Sequence, residues 1–413
     1  MKAKKMNNGV VPGLAEIIDK YFDGAAMLSF TNEIKAVTEK PDFSLKGIND
    51  ILENSVQAKE IICRQVDTAI THGEKNLSLE KQLLLFNSLG KLTIELGEFT
   101  LAKHIFLKSL KLANKDEKYE NISAYSYYML GDIYNREARW DRSLEHIKKA
   151  VKLFQEQKDV KGLAKCKNLI GVIYLGQGKI NLSSKHFDEG ISLLSHKRDK
   201  SILAQIETNL GILKGMQGDY DSAYTYFRRA LLKFEETGKL IRIAEVRYNL
   251  GMLHAQKKQY DLALSEYDLC LKISVSANYM LTQGIALLGK ASIYAHQDQL
   301  QLAKTFADSA LKISTNLNDK LSIAEIYKIF GIIERKNGNY KTAEQHFQKS
   351  IRLNRELGNE LNIAETLVEE GILYNEMDKK HEAEMCFMEA VTYYNKIGAM
   401  DEIEKINSLK NFK

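Results

Sequence analysis

Proline is almost missing from this chain. Only Pro12 and Pro41 occur among 413 residues, so nothing beyond residue 41 is barred from a helix by a lost amide hydrogen. Cysteine is scarce too: Cys63, Cys166, Cys270 and Cys386 stand far apart and form no CxxC pair. That spacing excludes a disulfide framework and a zinc site, and suits reduced thiols in a cytosol. No run approaches the ~18 uninterrupted apolar residues of a spanning helix. The basic start, Met1 to Lys5, is not followed by a signal-peptide core, because Glu16, Asp19 and Lys20 interrupt the apolar residues. Neither sign of charge dominates. The 59 Lys and Arg against 54 Asp and Glu give a net +5, spread too evenly for a phosphate-binding surface. These absences lead to the expectation of a cytoplasmic chain without membrane or nucleic-acid partners.

What the sequence has is a period. Gly90, Gly131, Gly171, Gly211, Gly251, Ala291, Gly331 and Gly371 are spaced 41 residues apart once and 40 thereafter. Twelve residues after each of these pivots comes a small residue: Ala102, Ser143, Ser183, Ala223, Ala263, Ala303, Ala343, Ala383. Sixteen after each comes Phe106, Ile147, Phe187, Phe227, Tyr267, Ala307, Phe347 or Phe387, nearly all large. A fixed period of this length marks a solenoid of stacked supersecondary units. The small pivot and its small partner would let two helix backbones approach, and the large residue would fill the space between neighbouring pairs. Gly97, Gly178, Gly218 and Gly338, seven after their pivots, would supply the left-handed residue that ends a helix.

This pattern resembles the tetratricopeptide repeat. Leu210-Gly211, Gly218-Asp219-Tyr220, Ala223, Phe227 and Ala230 match its consensus, and Tyr134, Tyr174, Tyr294 and Tyr374 occupy its first tyrosine position. The unit is longer than the usual ~34 residues and lacks the closing proline. The resemblance implies an all-α, right-handed α-solenoid (superhelix) of about eight helix–turn–helix units over 80–397. Residues 1–11 are expected to be a disordered start. Residues 12–79 read as an N-terminal helical region, in which 44–72 is a degenerate first repeat or a cap and Ser44 an N-cap. Residues 398–413 read as a C-terminal capping helix. The layout is also similar to that of the Rap and related bacterial peptide-receptor families, whose short N-terminal helical region precedes forty-residue repeats.

A search for chemistry finds none. His146, His186 and His346 each fall fifteen residues after a pivot, a repeat-equivalent place that architecture explains. His381-Glu382-Ala383-Glu384-Met385 fails HExxH at its last position, and no phosphate loop, nucleophile elbow or Cys–His constellation appears. No cofactor, metal or intrinsic enzymatic activity is therefore expected. In the family the first helix of each unit lines a concave groove. On this chain the resemblance puts there Tyr128, Asn168, Val172, Ile212, Met216, Tyr248, Met252, Leu288 and Arg335, an apolar central strip with polar ends. Asn209 and Asn249, two residues before their pivots, match the asparagine that in many members bonds a peptide backbone. A carboxylate clamp of the chaperone-tail kind is excluded, because no pivot is followed by asparagine. The expected role is a scaffold or adaptor holding a peptide or protein ligand, with outer helices that also offer surfaces for self-association. The alternative is a bacterial peptide-sensing regulator whose N-terminal helices act on a signalling partner.

Overall fold

The computed structural model describes residues 13–23, 26–27, 29–30, 48–277 and 279–410. It begins with α1 (Leu14–Tyr21) and α2 (Ile48–Asn76), then follows eight helix pairs. They are α3 (Leu79–Glu95) with α4 (Phe99–Ala113), α5 (Glu120–Arg136) with α6 (Trp140–Glu156), α7 (Val160–Gly176) with α8 (Ile180–Ser192), and α9 (Lys200–Met216) with α10 (Tyr220–Glu236). Then come α11 (Leu240–Gln256) with α12 (Tyr260–Ser276), α13 (Met280–His296) with α14 (Leu300–Asn316), α15 (Lys320–Lys336) with α16 (Tyr340–Leu357), and α17 (Glu360–Glu376) with α18 (Lys380–Ile397). Helix α19 (Met400–Lys410) closes the array. The fold is an all-α solenoid. It divides into two compact units, one running to Gly162 with Ala277–Met280, the other made of Leu163–Ser276 and the residues from Leu281.

The pivot works as a lock. A Cβ built on Gly331 would stand 2.4 Å from Phe347, and one on Gly211 2.6 Å from Phe227. The large residue therefore lies flat over the pivot of its own unit. With no side chain at the pivot, the ring takes the position a methyl would occupy, and it also packs on the next pair as the sequence leads one to expect: Phe227 joins Val246 and Leu250, and Tyr267 lies 2.5 Å from where a Cβ on Gly289 would stand. The small residue twelve later does more than allow approach. Ser143 Oγ donates to the Gly131 carbonyl at 2.6 Å and Ser183 Oγ to the Gly171 carbonyl at 2.8 Å, stitching second helix to first. The sixth pair is the exception that supports the rule. Its pivot is Ala291, and where a ring would collide with that methyl the chain has Ala307. Phe306 stands one residue earlier and stacks on Tyr294, centroids 5.4 Å apart.

The turn seven residues after each pivot is left-handed throughout, and glycine fills only half of these sites. Gly218 has φ 78°, while Lys258 at the equivalent place has φ 58°. A side chain in this region costs about 1–2 kcal/mol. Lys258→Gly should therefore stabilise the protein by roughly 0.5–1 kcal/mol after its larger unfolded-state entropy is discounted. A higher urea midpoint with unchanged helicity is the expected reading. Turns into first helices are left-handed too, with Asn318 at φ 53° and Gly358 at φ 66°, and two of them add a cap: the Asp319 and Asn359 side chains accept from the amides of Ser322 and Asn362, capping α15 and α17.

In the first unit, Leu14, Ile18, Phe22 and Phe30 join Val66, Phe86, Leu89 and Ile105 in one core. The N-terminal helices are thus packed on the first helix pair. Helix α2 is a single 29-residue helix over a stretch where a helix pair was one expectation, since no glycine or proline interrupts it before Gly73. The break at Pro41 and the Ser44 cap lie outside the described residues. In the second unit, Ile363, Leu367, Phe387 and Tyr394 bury Ile406 of α19, so the closing helix covers the apolar end of the stack.

Candidate functional site

Within each unit the first helices of neighbouring pairs lie side by side, and they carry the residues the sequence singled out. In the second unit, α7, α9 and α11 present the sharpest group. Asn209 Nδ2 donates to Asn168 Oδ1 at 2.8 Å, joining α9 to α7. The bond takes one half of each amide, leaving the Asn168 NH2 as a donor and the Asn209 carbonyl as an acceptor; Asn168 is buried at 8% exposure and Asn209 is half-buried. Val172, Ile212 and Met216 flank the pair, each half-buried against the core of Leu203, Ile206 and Leu213. Met252 is 42% exposed, and Asn249 is half-buried. These residues form a polar pair beside an adaptable apolar surface.

Two expected groove residues are placed differently. Leu288 is only 6% exposed, so it belongs to the core and not to an exposed strip. Tyr248 packs its ring on Tyr267 at 5.6 Å, with Ala263 and Ile293 around it. Burial pushes its hydroxyl above the usual phenol range. It is a supporting residue more than an exposed edge. The reason is common to both: helical offset tells which way a side chain points, while the depth at which neighbouring helices cover it depends on their spacing.

Arg335 is held by the next first helix. Its guanidinium pairs with Glu369 at 3.1 Å and with Glu376, both on α17. Lys328, three residues before its pivot, is tied to Glu325 at 2.8 Å and Glu365 at 2.5 Å. Burial works against the Lys328 charge, but Glu325 and Glu365 outweigh it and hold the ammonium above its ordinary range. Glu325 is raised by the same burial, with Lys328 pulling the other way. Burial also depresses the nearby His296, against the attraction of Glu369. The sequence reading did not single out Glu325, Glu365, Glu369 or Glu376. For the last three the signal was a base in one first helix facing acids 34 to 41 residues on, close to one repeat period, while Glu325 stands three residues before Lys328 on the same helix.

In the first unit, Tyr128 of α5 is half-buried beside the core of Met129 and Leu130, and Asp132 bonds Arg136 at 3.1 Å. The repeat-equivalent histidines serve packing. His186 stacks on Tyr174 at 5.4 Å, and His146 lies against Tyr134 at 5.0 Å. Among the described residues, no group of three or more His, Cys, Asp or Glu is arranged to hold a metal ion. None of the described helices is long and apolar enough to cross a membrane.

Comparison with known proteins bears on this geometry. Among curated proteins none matches the chain in sequence. Among solved structures, a Rap protein complexed with Competence and Sporulation Factor has a TM-score of 0.61 at 13% identity, over 89% of this chain and 99% of that one. The Rap conjugation gene regulator of plasmid pLS20, in complex with the Phr* peptide, has a TM-score of 0.57 at 16% identity, over 95% and 99%. NprR in complex with its cognate peptide NprX has a TM-score of 0.54 at 15% identity, over 68% and 84%. At such identities the likeness is one of fold. Two family profiles, both described as tetratricopeptide repeat, match residues 202–274, 282–356 and 322–396, and residues 124–157. The spans they match fall on the second and the fourth to eighth helix pairs, and the chain belongs to the tetratricopeptide repeat family.

Proposed function

We propose that this chain is a non-catalytic peptide-binding scaffold, and that the first-helix face of its second unit holds an extended peptide. The observation that carries the reading is the Asn168–Asn209 pair, whose remaining donor and acceptor lie beside Val172, Ile212 and Met216. A peptide backbone needs a donor and an acceptor that cost little to desolvate, and a pre-bonded amide pair supplies both. The fold shared with two chains solved with peptides supports it. The basic and acidic groups farther along this face neutralise one another in ion pairs, leaving recognition to the amides and the apolar strip.

The reading is tested by Asn209→Ala combined with Met252→Asp. Both positions are partly exposed, so helicity and melting should be unchanged, whereas peptide affinity should fall at least about tenfold, the effect of losing one or two buried hydrogen bonds. Equal affinity of the two proteins would remove this face from the account. A second reading is favoured by the extent of the likeness, which takes in 95% of this chain and so reaches past the repeats into the N-terminal helices. In it, the chain is a peptide-sensing regulator of the Rap layout, and the N-terminal helices contact a signalling partner.

A further inference from the structure

The residue before each pivot is the leucine of the family's Leu-Gly, and it is apolar in six of the eight pairs. The exceptions are Lys290 and Glu370. Both are buried, at 9% and 5% exposure. Lys290 is satisfied: its ammonium meets Asp268 at 2.5 Å and lies over the Phe306 ring at 4.8 Å. Glu370 is not. Among the described residues no cation stands at ion-pair distance from it, and its one donor is the Cys386 thiol, a long 3.8 Å contact. A carboxyl in a leucine position with only a thiol for company costs stability, and a structural role would be met better by leucine.

Glu370 is not sealed in. It lies in the wall of a cleft of ≈ 540 Å³ between α16, α17 and α18, together with Ile351, Leu367, Met385 and Met388. Arg352 and His381 also line the cleft, both exposed, while the groups that act on Glu370 from nearby are already occupied. Arg355 bonds Glu389 at 2.8 Å, and the Tyr374 hydroxyl donates to Glu344 at 2.7 Å. What is left is an anionic floor under apolar walls, two of whose methionines are more than half exposed. We infer that this cleft is a second binding site, separate from the first-helix face, for a cation on an aliphatic stem: a lysine or arginine side chain of a partner polypeptide, or a free alkyl amine of the same form. The stem would lie along Met385 and Met388, and the ammonium or guanidinium would supply the missing partner of Glu370.

The ionisation of Glu370 makes the inference measurable. Burial raises its carboxyl to about 7, with Glu344 adding to the rise and Cys386 and Arg355 opposing it. The charged and titratable groups around it are Arg352, Arg355 and Glu344 from α16 and His381, Glu382 and Glu389 from α18, beside Tyr374 of its own helix and the Cys386 thiol, itself pushed up to about 12. A cation binds the ionised form, so binding must expel a proton at low pH, and affinity should fall about tenfold between pH 8 and pH 6.

The experiment titrates the full chain with agmatine and, separately, with a short arginine-containing peptide, following heat and the melting temperature. Glu370→Gln keeps the shape and removes the charge. It should melt at or above the native temperature at pH 8, which excludes misfolding, and lose at least tenfold in affinity for whichever probe binds. Binding of both probes identifies the small amine as sufficient; binding of the peptide alone identifies a polypeptide partner; either supports the site. Binding by neither probe, or equal binding by native and Glu370→Gln proteins, or affinity unchanged between pH 6 and 8, overturns it. The Asn209→Ala, Met252→Asp protein should bind these probes normally, so failure of the groove reading and failure of this one are told apart.

Discussion

Gly331→Ala is expected to destabilise the second unit by about 2 kcal/mol, although alanine is the better helix former. The helical gain is about 0.5–1 kcal/mol. Against it stands a methyl placed 2.4 Å from a Phe347 ring that is fully buried, and overpacking of that severity typically costs 1–3 kcal/mol and at times more. The ring cannot retreat, because Ala343 of its own helix and the next pair close the space around it. Phe347→Ala alone should cost about 3–5 kcal/mol through the cavity it leaves. The informative variant carries both changes. It recreates the Ala291/Ala307 combination of the sixth pair, so its cost should fall short of the sum of the two single costs by at least about 1 kcal/mol. Urea unfolding and amide exchange across Lys320–Lys336 and Tyr340–Leu357 provide the measurement. Additive costs would mean that pivot and ring do not touch as described.

Lys328→Met should be the most damaging single change on the first-helix face. It removes the cation between Glu325 and Glu365, leaving two carboxylates that share a site with nothing to balance them. Breaking a buried pair in this way costs about 3–5 kcal/mol. The effect has a pH signature with a definite sign. Glu325 is raised above its ordinary value by burial, so the stability it allows is present when it is protonated and is lost as pH rises through its folded-state value. In Lys328→Met the opposing cation is gone and that value climbs further. The variant should therefore recover part of its stability on acidification from pH 8 towards pH 5, while the native chain, with its triad intact, gains less. A loss that stays the same across this range would show that Lys328 contributes through its aliphatic stem and not through charge.

These cases show what the sequence could and could not convey. The lock was legible because its two halves are always sixteen residues apart within one unit, so register alone reveals it. What register did not convey is that the ring lies against its own glycine as well as against the next pair. The ion-pair ladder was illegible because Arg335 and Glu369, or Lys328 and Glu365, meet only once successive units are stacked. Leu288 and Tyr248 were assigned to the right helices and the wrong depth, since coverage by a neighbour is a property of the stack. Residues 44–72 read as a degenerate first repeat or a cap, and Ile48–Asn76 runs as one helix because no glycine or proline interrupts it before Gly73. Glu370 was not singled out either, although register alone sets it as a charge in a leucine column.

The measurement that tests the central proposal most directly uses the low-molecular-weight fraction of the source cell. Native protein and the Asn209→Ala, Met252→Asp variant are each incubated with it, retained peptides are identified by mass spectrometry, and the strongest is resynthesised and titrated. The account predicts a peptide held by the native chain and bound at least about tenfold more weakly by the variant, with equal melting of the two proteins. Equal retention by both, or no peptide retained by either, would contradict it.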